Sequence, residues 1–449
     1  MTAPVLVWFR DDLRIADHPA LHTAAATGAP IIGIYVLDEE SAGVRALGGA
    51  ARWWLHHSLT SLGERLAERG VRLVLRRGPA VRLIRELVTE TGARGIHWNR
   101  RYGKPERDID AELKSGLRDE GVDAHSHAGN LLHEPWTVQT GAGTHYSVFT
   151  PFWRACQALP APRLPLPEPP RMTPAAVDIA SDALTDWELL PTAPDWAAGL
   201  RTAWTPGEPA AVARLHEFLE DDLSDYDRAR DEPASGATSM ISPRLRWGEI
   251  SPHTAWHAAV EVGGSARFLA ELGWREFAWH TLFHFPALAD DNLRPEFDAF
   301  PWPPLDPDML VSWQRGETGI PLVDAGMREL WETGHMHNRV RMVTASFLIK
   351  NLLIDWRIGE EWFWDTLVDA DAASNPFNWQ WVAGSGADAA PYFRVFNPIL
   401  QAEKFDPHGE YIRRWGGATS REPIVDLRAT RQAALNAYEA VKSSQRPAR

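Results

Sequence analysis

The sequence predicts two unlike parts in one chain: an α/β domain built on a doubly wound parallel sheet, then a larger all-α domain. Three observations predict this. Residues 1 to about 130 alternate short apolar strands with helical stretches. From about Glu208 onward apolar residues recur at three and four, and no strand-like alternation of useful length appears. A Pro-rich segment separates the two patterns.

Val5–Phe9, Ile31–Leu37, Val71–Leu75 and Ile96–Trp98 read as successive strands. Between the second and third, Leu55, Leu59, Leu62 and Leu66 form one apolar helix stripe. The first strand runs into Arg10-Asp11-Asp12-Leu13-Arg14 rather than GxGxxG. The fold is therefore dinucleotide-like without the pyrophosphate turn, which disfavours a nicotinamide dehydrogenase. PAPRLPLPEPPRMTP, residues 160–174, cannot be continuous helix or central strand. The expected division is 1–130 for the α/β domain, 131–205 for a connector and 206–449 for the helical domain.

A chain of 449 residues, 44% hydrophobic and 24% charged, is long enough for two cores and ordinary for a globular protein. The single cysteine, Cys156, excludes an internal disulfide and fits a reducing cytosol. The N-terminus lacks the basic start of a signal peptide, and no apolar run approaches bilayer length. A cytoplasmic monomer with no membrane partner and no metal is expected. The net charge of −14 taken alone argues against nucleic acid. Residues 336–357 nevertheless carry Arg339, Arg341, Lys350 and Arg357 against Asp355 alone, so a local basic patch survives the acidic total.

The residues that promise chemistry cluster in 334–390. Asn338, Arg341 and Met342 sit at i, i+3 and i+4, placing an amide, a cation and a thioether on one helix face. Asp369, Asp371 and Asn375 follow, then Trp379 and Trp381. Polar groups this dense beside an apolar, Trp-rich helix need a partner, because a buried polar group left unpaired is costly. A large, flat, polar-edged cofactor would be one. Upstream, Tyr226 precedes a Gly-flanked loop with Thr238, Ser239 and Ser242, which could take a phosphate but on its residues alone reads first as an ordinary helix cap. Glu271, Trp274 and Arg275 share another helix face.

These stretches, with WFRDDLRIADHPAL at Trp8–Leu21, resemble the photolyase/cryptochrome family over nearly the whole chain, most nearly the bacterial class I cyclobutane pyrimidine dimer photolyases. The resemblance implies FAD in the helical domain, UV-damaged DNA as substrate, and an antenna chromophore in the α/β domain. That antenna would be 8-hydroxy-5-deazaflavin or methenyltetrahydrofolate, with Arg52 and the Glu106 of YGKPERD as its contacts. It implies that a Thr-Ser-x-x-Ser loop, with Met240 and Ile241 in its middle, binds the FAD phosphates together with Tyr226. Arg341 and Asp369 would form an ion pair against the isoalloxazine, with Asp371 and Asn375 at its edge and Asn375 at the reactive nitrogen. A neutral amide can accept from an N–H there without adding charge beside an anionic flavin. Glu271 would hydrogen-bond the dimer, Trp274 and Trp381 would wall it, and Arg275 would serve the flavin side. Asn338 and Met342 would lie near the substrate, where (6-4) photolyases carry two histidines. Trp379, Trp356 and Trp302 would relay electrons, and Arg339, Arg394 and Lys404 would meet DNA phosphates. The implied reaction is light-dependent splitting of a flipped-out dimer. The alternatives are a cryptochrome-type photoreceptor and a flavin electron-transfer protein that ignores DNA.

Overall fold

The computed structural model describes residues 3–389, 394–416 and 421–444. Five parallel strands form the N-terminal sheet: β1 (Val5–Phe9), β2 (Ile31–Leu37), β3 (Arg72–Arg77), β4 (Gly95–Asn99) and β5 (Asp123–His127), in the order β3-β2-β1-β4-β5. The order reverses between β1 and β4, as in a doubly wound sheet. Helices α1 (Pro19–Ala26), α2 (Gly49–Glu68), α3 (Ala80–Thr91) and α4 (Lys104–Asp119) link the strands. On α2 the stripe Leu55, Leu59, Leu62 and Leu66 is buried, as its spacing predicts.

Strand β5 escapes the sequence reading for a physical reason. Its sequence is DAHSH and only Ala124 is buried, so an edge strand with one apolar residue gives no alternation to read. The Pro-rich connector runs extended along the other side of the sheet. Ile31 N donates to Thr173 O at 3.3 Å and Met172 N to Arg69 O at 2.7 Å. Before it, α5 (Phe149–Ala158) packs on the Ala266–His284 helix.

The segment after β1 is a structural staple. Arg10 Nη1 donates to Asp110 at 2.6 Å and Asn99 Nδ2 to Asp12 at 2.8 Å, so side chains fill the strand-order switch where a dinucleotide would sit. Arg14, fully buried, donates to the carbonyls of Asp17, Gly129 and Gly248 at 2.9–3.1 Å. Arg246 bonds Asp11 at 2.8 Å, and Glu208 accepts from Ile15 N and Ala16 N at 2.9 Å. These bonds lock the α/β domain onto the helical part.

From Glu208 on, the described residues contain helices and turns but no strand. Caps set the helices that matter here. His337 Nδ1 accepts from Arg339 N at 3.2 Å and starts Asn338–Ser346, and Asp355 accepts from Arg357 N at 3.0 Å and starts Trp356–Thr366. Ser374–Ala383 ends at Gly384, whose φ of 94° favours glycine. No helix among the described residues is long and apolar enough to cross a membrane.

Candidate active site

Arg341 projects from the Asn338–Ser346 helix and makes a two-pronged pair with Asp369, Nη1 to Oδ1 at 3.0 Å and Nη2 to Oδ2 at 2.9 Å. Its Nε donates to Met336 O at 2.6 Å, and Ser242 Oγ donates to Asp369 Oδ2 at 2.7 Å. Burial pushes the Asp369 carboxyl up, but the Arg341 charge and hydrogen bonds outweigh it and hold the group below its ordinary value. A fixed ion pair therefore sits where the sequence reading wanted one.

The loop ahead of the Ser242–Arg246 helix is a set of free donors. None of the backbone N–H groups of residues 238–242 makes a hydrogen bond among the described residues. The carbonyls of Thr238 and Ser239 are taken by Arg214 at 3.0 and 3.1 Å. Met240 stands at φ 53°, a left-handed conformation that a methionine adopts only under constraint. Ser242 is no helix cap, since its hydroxyl is spent on Asp369. Unused N–H groups with small hydroxyls fit a diphosphate. Tyr226 lies behind them, buried between Phe218 and Phe268 at 5.5 and 5.7 Å in the same apolar cluster as Ile241.

Asp371 serves its own helix: its Oδ1 accepts from Ala373 N at 2.8 Å and from Ser374 N. Asn375, one turn on and buried, donates Nδ2 to Glu360 O at 3.0 Å and to Glu360 Oε1 at 2.8 Å. Both partners are acceptors, which fixes the amide's orientation and leaves Oδ1 without a donor among the described residues. Glu360 is held in turn by Arg45 of the α/β domain, at 2.8 and 2.9 Å. The sequence reading missed both residues. A signal for Glu360 existed, because a glutamate on the apolar face of WRIGEEWFWDT must find a partner once buried.

Nearer the surface, Asn338 is exposed and Met342 half-buried, with Arg339 Nη1 3.8 Å from its sulfur. Arg339 pairs with Asp231 at 2.6 Å and lies over Phe405 at 4.4 Å. Glu271 is ion-paired to Arg230, a residue the sequence reading passed over. Trp274 stacks on Phe149 of α5, centroids 3.7 Å apart and planes 9° apart, so one indole face is already covered. Arg275 is tied to the backbone at residue 130. Its Nη1 donates to Asn130 O at 2.9 Å, because its neighbour Glu276 holds that same segment through Leu132 N and His133 N. Trp381 is half-buried, Lys404 lies over Phe405 at 4.9 Å, and Arg394 is exposed with its carbonyl accepting from Lys350.

Trp379 and Trp356 are buried in one core, and Trp302 packs against that core and on Phe300 at 4.3 Å. Among the described residues no ring contact joins these three to one another. Trp313, fully buried, does touch Trp379 edge-on at 6.3 Å, and Phe363 touches it at 4.9 Å. In the α/β domain Arg52 is paired with Glu39, and Glu106 lies in the first turn of α4. A cavity of about 540 Å³ opens along α4, bordered by Arg100, Arg101, Arg107, Lys114 and Trp136, and neither Arg52 nor Glu106 lines it.

Residues 5–171 match the family model of DNA photolyase, and residues 268–421 that of the FAD binding domain of DNA photolyase. The deoxyribodipyrimidine photo-lyase of Agrobacterium fabrum is 49% identical over 99% of this chain and 99% of its own. The chain belongs to the photolyase/cryptochrome family. Within this family its helical half is an FAD-binding domain. The crystal structure of a bacterial class III photolyase from Agrobacterium tumefaciens is similar at a TM-score of 0.94 and 49% identity, covering 99% of this chain and 98% of that one. Kinship to class I is thereby corrected toward class III. The motifs quoted above report flavin and dimer chemistry, and nothing in them separates one class from the other. Cryptochrome-2 of Arabidopsis thaliana is 36% identical, over 94% of this chain and 72% of its own.

Proposed function

We propose that this chain is a deoxyribodipyrimidine photolyase that splits cyclobutane pyrimidine dimers in UV-damaged DNA. The observation that carries the reading is the Asn375 amide, locked by Glu360 with its oxygen free. A neutral acceptor there can receive a ring N–H of reduced flavin and adds no second negative charge beside it. FAD, when bound, supplies the light-driven electron that opens the cyclobutane ring.

The residues present fit that group. The free N–H groups of residues 238–242, with the hydroxyls of Thr238 and Ser239, bind the diphosphate, and Ser242 adds its backbone N–H while its hydroxyl stays on Asp369. Arg341 and Asp369 set a fixed dipole against the ring system, and Asp371 acts through the helix it caps. Tyr226 backs the loop from its aromatic cluster. Arg275 acts at one remove, by pinning residue 130.

On the substrate side the dimer leaves the duplex, as in other enzymes that work on a flipped base, at a cost of a few kcal/mol that damage lowers. Trp381 and the uncovered side of Trp274 wall the dimer, and stacking contributes ~1–3 kcal/mol per base. Asn338 and Met342 border it. Glu271 gives up or shares its Arg230 bond to accept base N–H groups. Arg339, Arg394 and Lys404 meet phosphates, Arg339 by exchanging Asp231 for the backbone. Trp379, Trp356 and Trp302 deliver electrons from the surface. An antenna belongs to the α/β domain, with Arg52 and Glu106 as contacts, and the units are 1–130, 131–205 and 206–449. The protein works as a cytoplasmic monomer.

The likeness to a plant cryptochrome supports a second reading, a blue-light photoreceptor. Illuminating the flavin-loaded, reduced protein with a dimer-containing oligonucleotide separates the two. Recovery of base-band absorbance in light and none in the dark is expected. Selective binding without recovery would favour the receptor.

A further inference from the structure

The loop between β2 and α2, residues 38–48, reaches from the α/β domain into the helical one. It is well held: Ser41 N donates to Asp38 at 2.9 Å, Arg52 bonds both Glu39 and Leu47 O, and Arg52 Nε to that carbonyl measures 3.2 Å. At its tip Arg45 lies over the Trp364 ring at 4.2 Å and grips both carboxylate oxygens of Glu360. The side chain of Glu360 is 3% exposed. Its carbonyl and Oε1 together receive both hydrogens of the Asn375 amide. Two hydrogen-bonded steps thus connect a surface arginine of one domain to the amide NH2 in the site of the other.

We propose that Arg45 is a positioning residue for the reaction: by keeping Glu360 an acceptor, it holds the Asn375 amide with its oxygen, not its NH2, toward the cofactor edge. This rests on the reading that Asn375 faces the reactive edge of FAD. An ionised carboxylate can only accept hydrogen bonds, so the amide must offer it NH2. A protonated carboxyl carries a donor that can meet the amide oxygen, which leaves the Glu360 carbonyl as the one fixed acceptor holding the NH2 in place.

The surroundings leave this task to Arg45. Burial pushes the Glu360 carboxyl up, the Arg45 bonds oppose it, and Glu361 on the same helix pushes it further up. The facing helix, SNPFNWQWVA, has no titratable residue. On the other elements packed against this helix, Arg52 of α2 is paired with Glu39, and Lys350 of the π-helical turn Phe347–Asn351 is bonded to Arg394 O. Among the described residues no cation other than Arg45 is placed to keep Glu360 ionised.

The test is the midpoint potential of bound FAD, measured against pH on holoprotein. Arg45→Met is expected to shift the oxidised-to-reduced ratio at fixed potential about tenfold or more, about 59 mV for one electron. It is also expected to add a pH-dependent break that Arg45→Met/Glu360→Gln lacks. Arg45→Lys, which keeps the charge but not the fork, is expected to recover part of the shift, and it serves if Arg45→Met folds poorly. A plain domain clamp would lower stability without moving the potential. If Asn375→Asp moves the potential while Arg45→Met and Arg45→Lys leave it and its pH profile unchanged, this proposal is overturned. If Asn375→Asp itself has no effect, the placement of Asn375 at the flavin edge fails instead.

Discussion

Replacing Arg341 by methionine removes the cation that faces Asp369 and keeps most of the packing. Three hydrogen bonds go: two to the Asp369 carboxylate and one to Met336 O. Asp369 is left with the Ser242 hydroxyl, and its side chain is 5% exposed. Removing one partner of a buried pair costs ~3–5 kcal/mol, chiefly as the penalty on the stranded charge. Water reaches Arg341, whose side chain is 24% exposed, so the lower end applies. A loss of ~3 kcal/mol lowers the Tm of a unit this size by roughly 6–12 °C. The pH dependence gives the sharper readout. In the parent, Asp369 has a folded pKa below its unfolded value, so its contribution is present above the unfolded pKa and fades as pH falls through the folded one. In Arg341→Met burial is opposed only by His335 and the Ser242 hydroxyl and is expected to raise the folded pKa, so the sign reverses and mild acid narrows the deficit. Thermal melts of flavin-free and flavin-loaded protein across pH 4–8, approximately, read both effects. The double variant Arg341→Met/Asp369→Asn should regain part of the loss. An Arg341→Met protein with parental Tm and parental pH dependence would refute the claim that a stranded charge sits there.

Four further outcomes are expected. Trp379→Phe should slow photoreduction of bound flavin by external donors about tenfold or more, with repair by chemically reduced protein kept; equal rates would remove Trp379 from the electron route. Gly359→Ala places a Cβ inside the Trp379 ring and against Leu348, and should cost ~1–3 kcal/mol in a melt, since overpacked cores must shift. Glu276→Gln tests a carboxyl that burial pushes up to about 7. Its folded state prefers the proton, so the parent should lose stability relative to Glu276→Gln as pH rises from about 4.5 toward 7, by ~3 kcal/mol in all. Parallel melting curves would show Glu276 is not strained by its burial. Glu271→Ala should lower repair yield while FAD stays bound, and unchanged yield would remove that assignment.

The parts of this molecule legible in the sequence are those where one residue type answers to one physical demand. The α2 leucine stripe and the strands β1 and β2, buried throughout, repeat the demand of burial at a fixed period. The Arg341–Asp369 pair is legible through the family resemblance, and the fold closes it because a cation and an anion in an apolar setting need each other. Strand β5 was lost because a polar edge strand makes no such demand on its side chains. Arg45 was lost because its partner lies 315 residues away, and an arginine in an exposed loop is ordinarily solvated. The Trp8–Leu21 motif shows the opposite case. Its charges are spent inside the protein: Arg10 and Asp12 bond Asp110 and Asn99 within the α/β domain, and Arg14 reaches Gly248 of the helical one. Trp274 was read as an open platform, and only the fold brings Phe149 onto its face.

The account stands most directly on where FAD lies and how Asn375 meets it. A crystal structure of the flavin-loaded protein should show the diphosphate on the N–H groups of residues 238–242 and the Asn375 oxygen facing the ring edge. A flavin lodged instead in the basic cavity beside α4, or an Asn375 whose NH2 faces the ring, would contradict it.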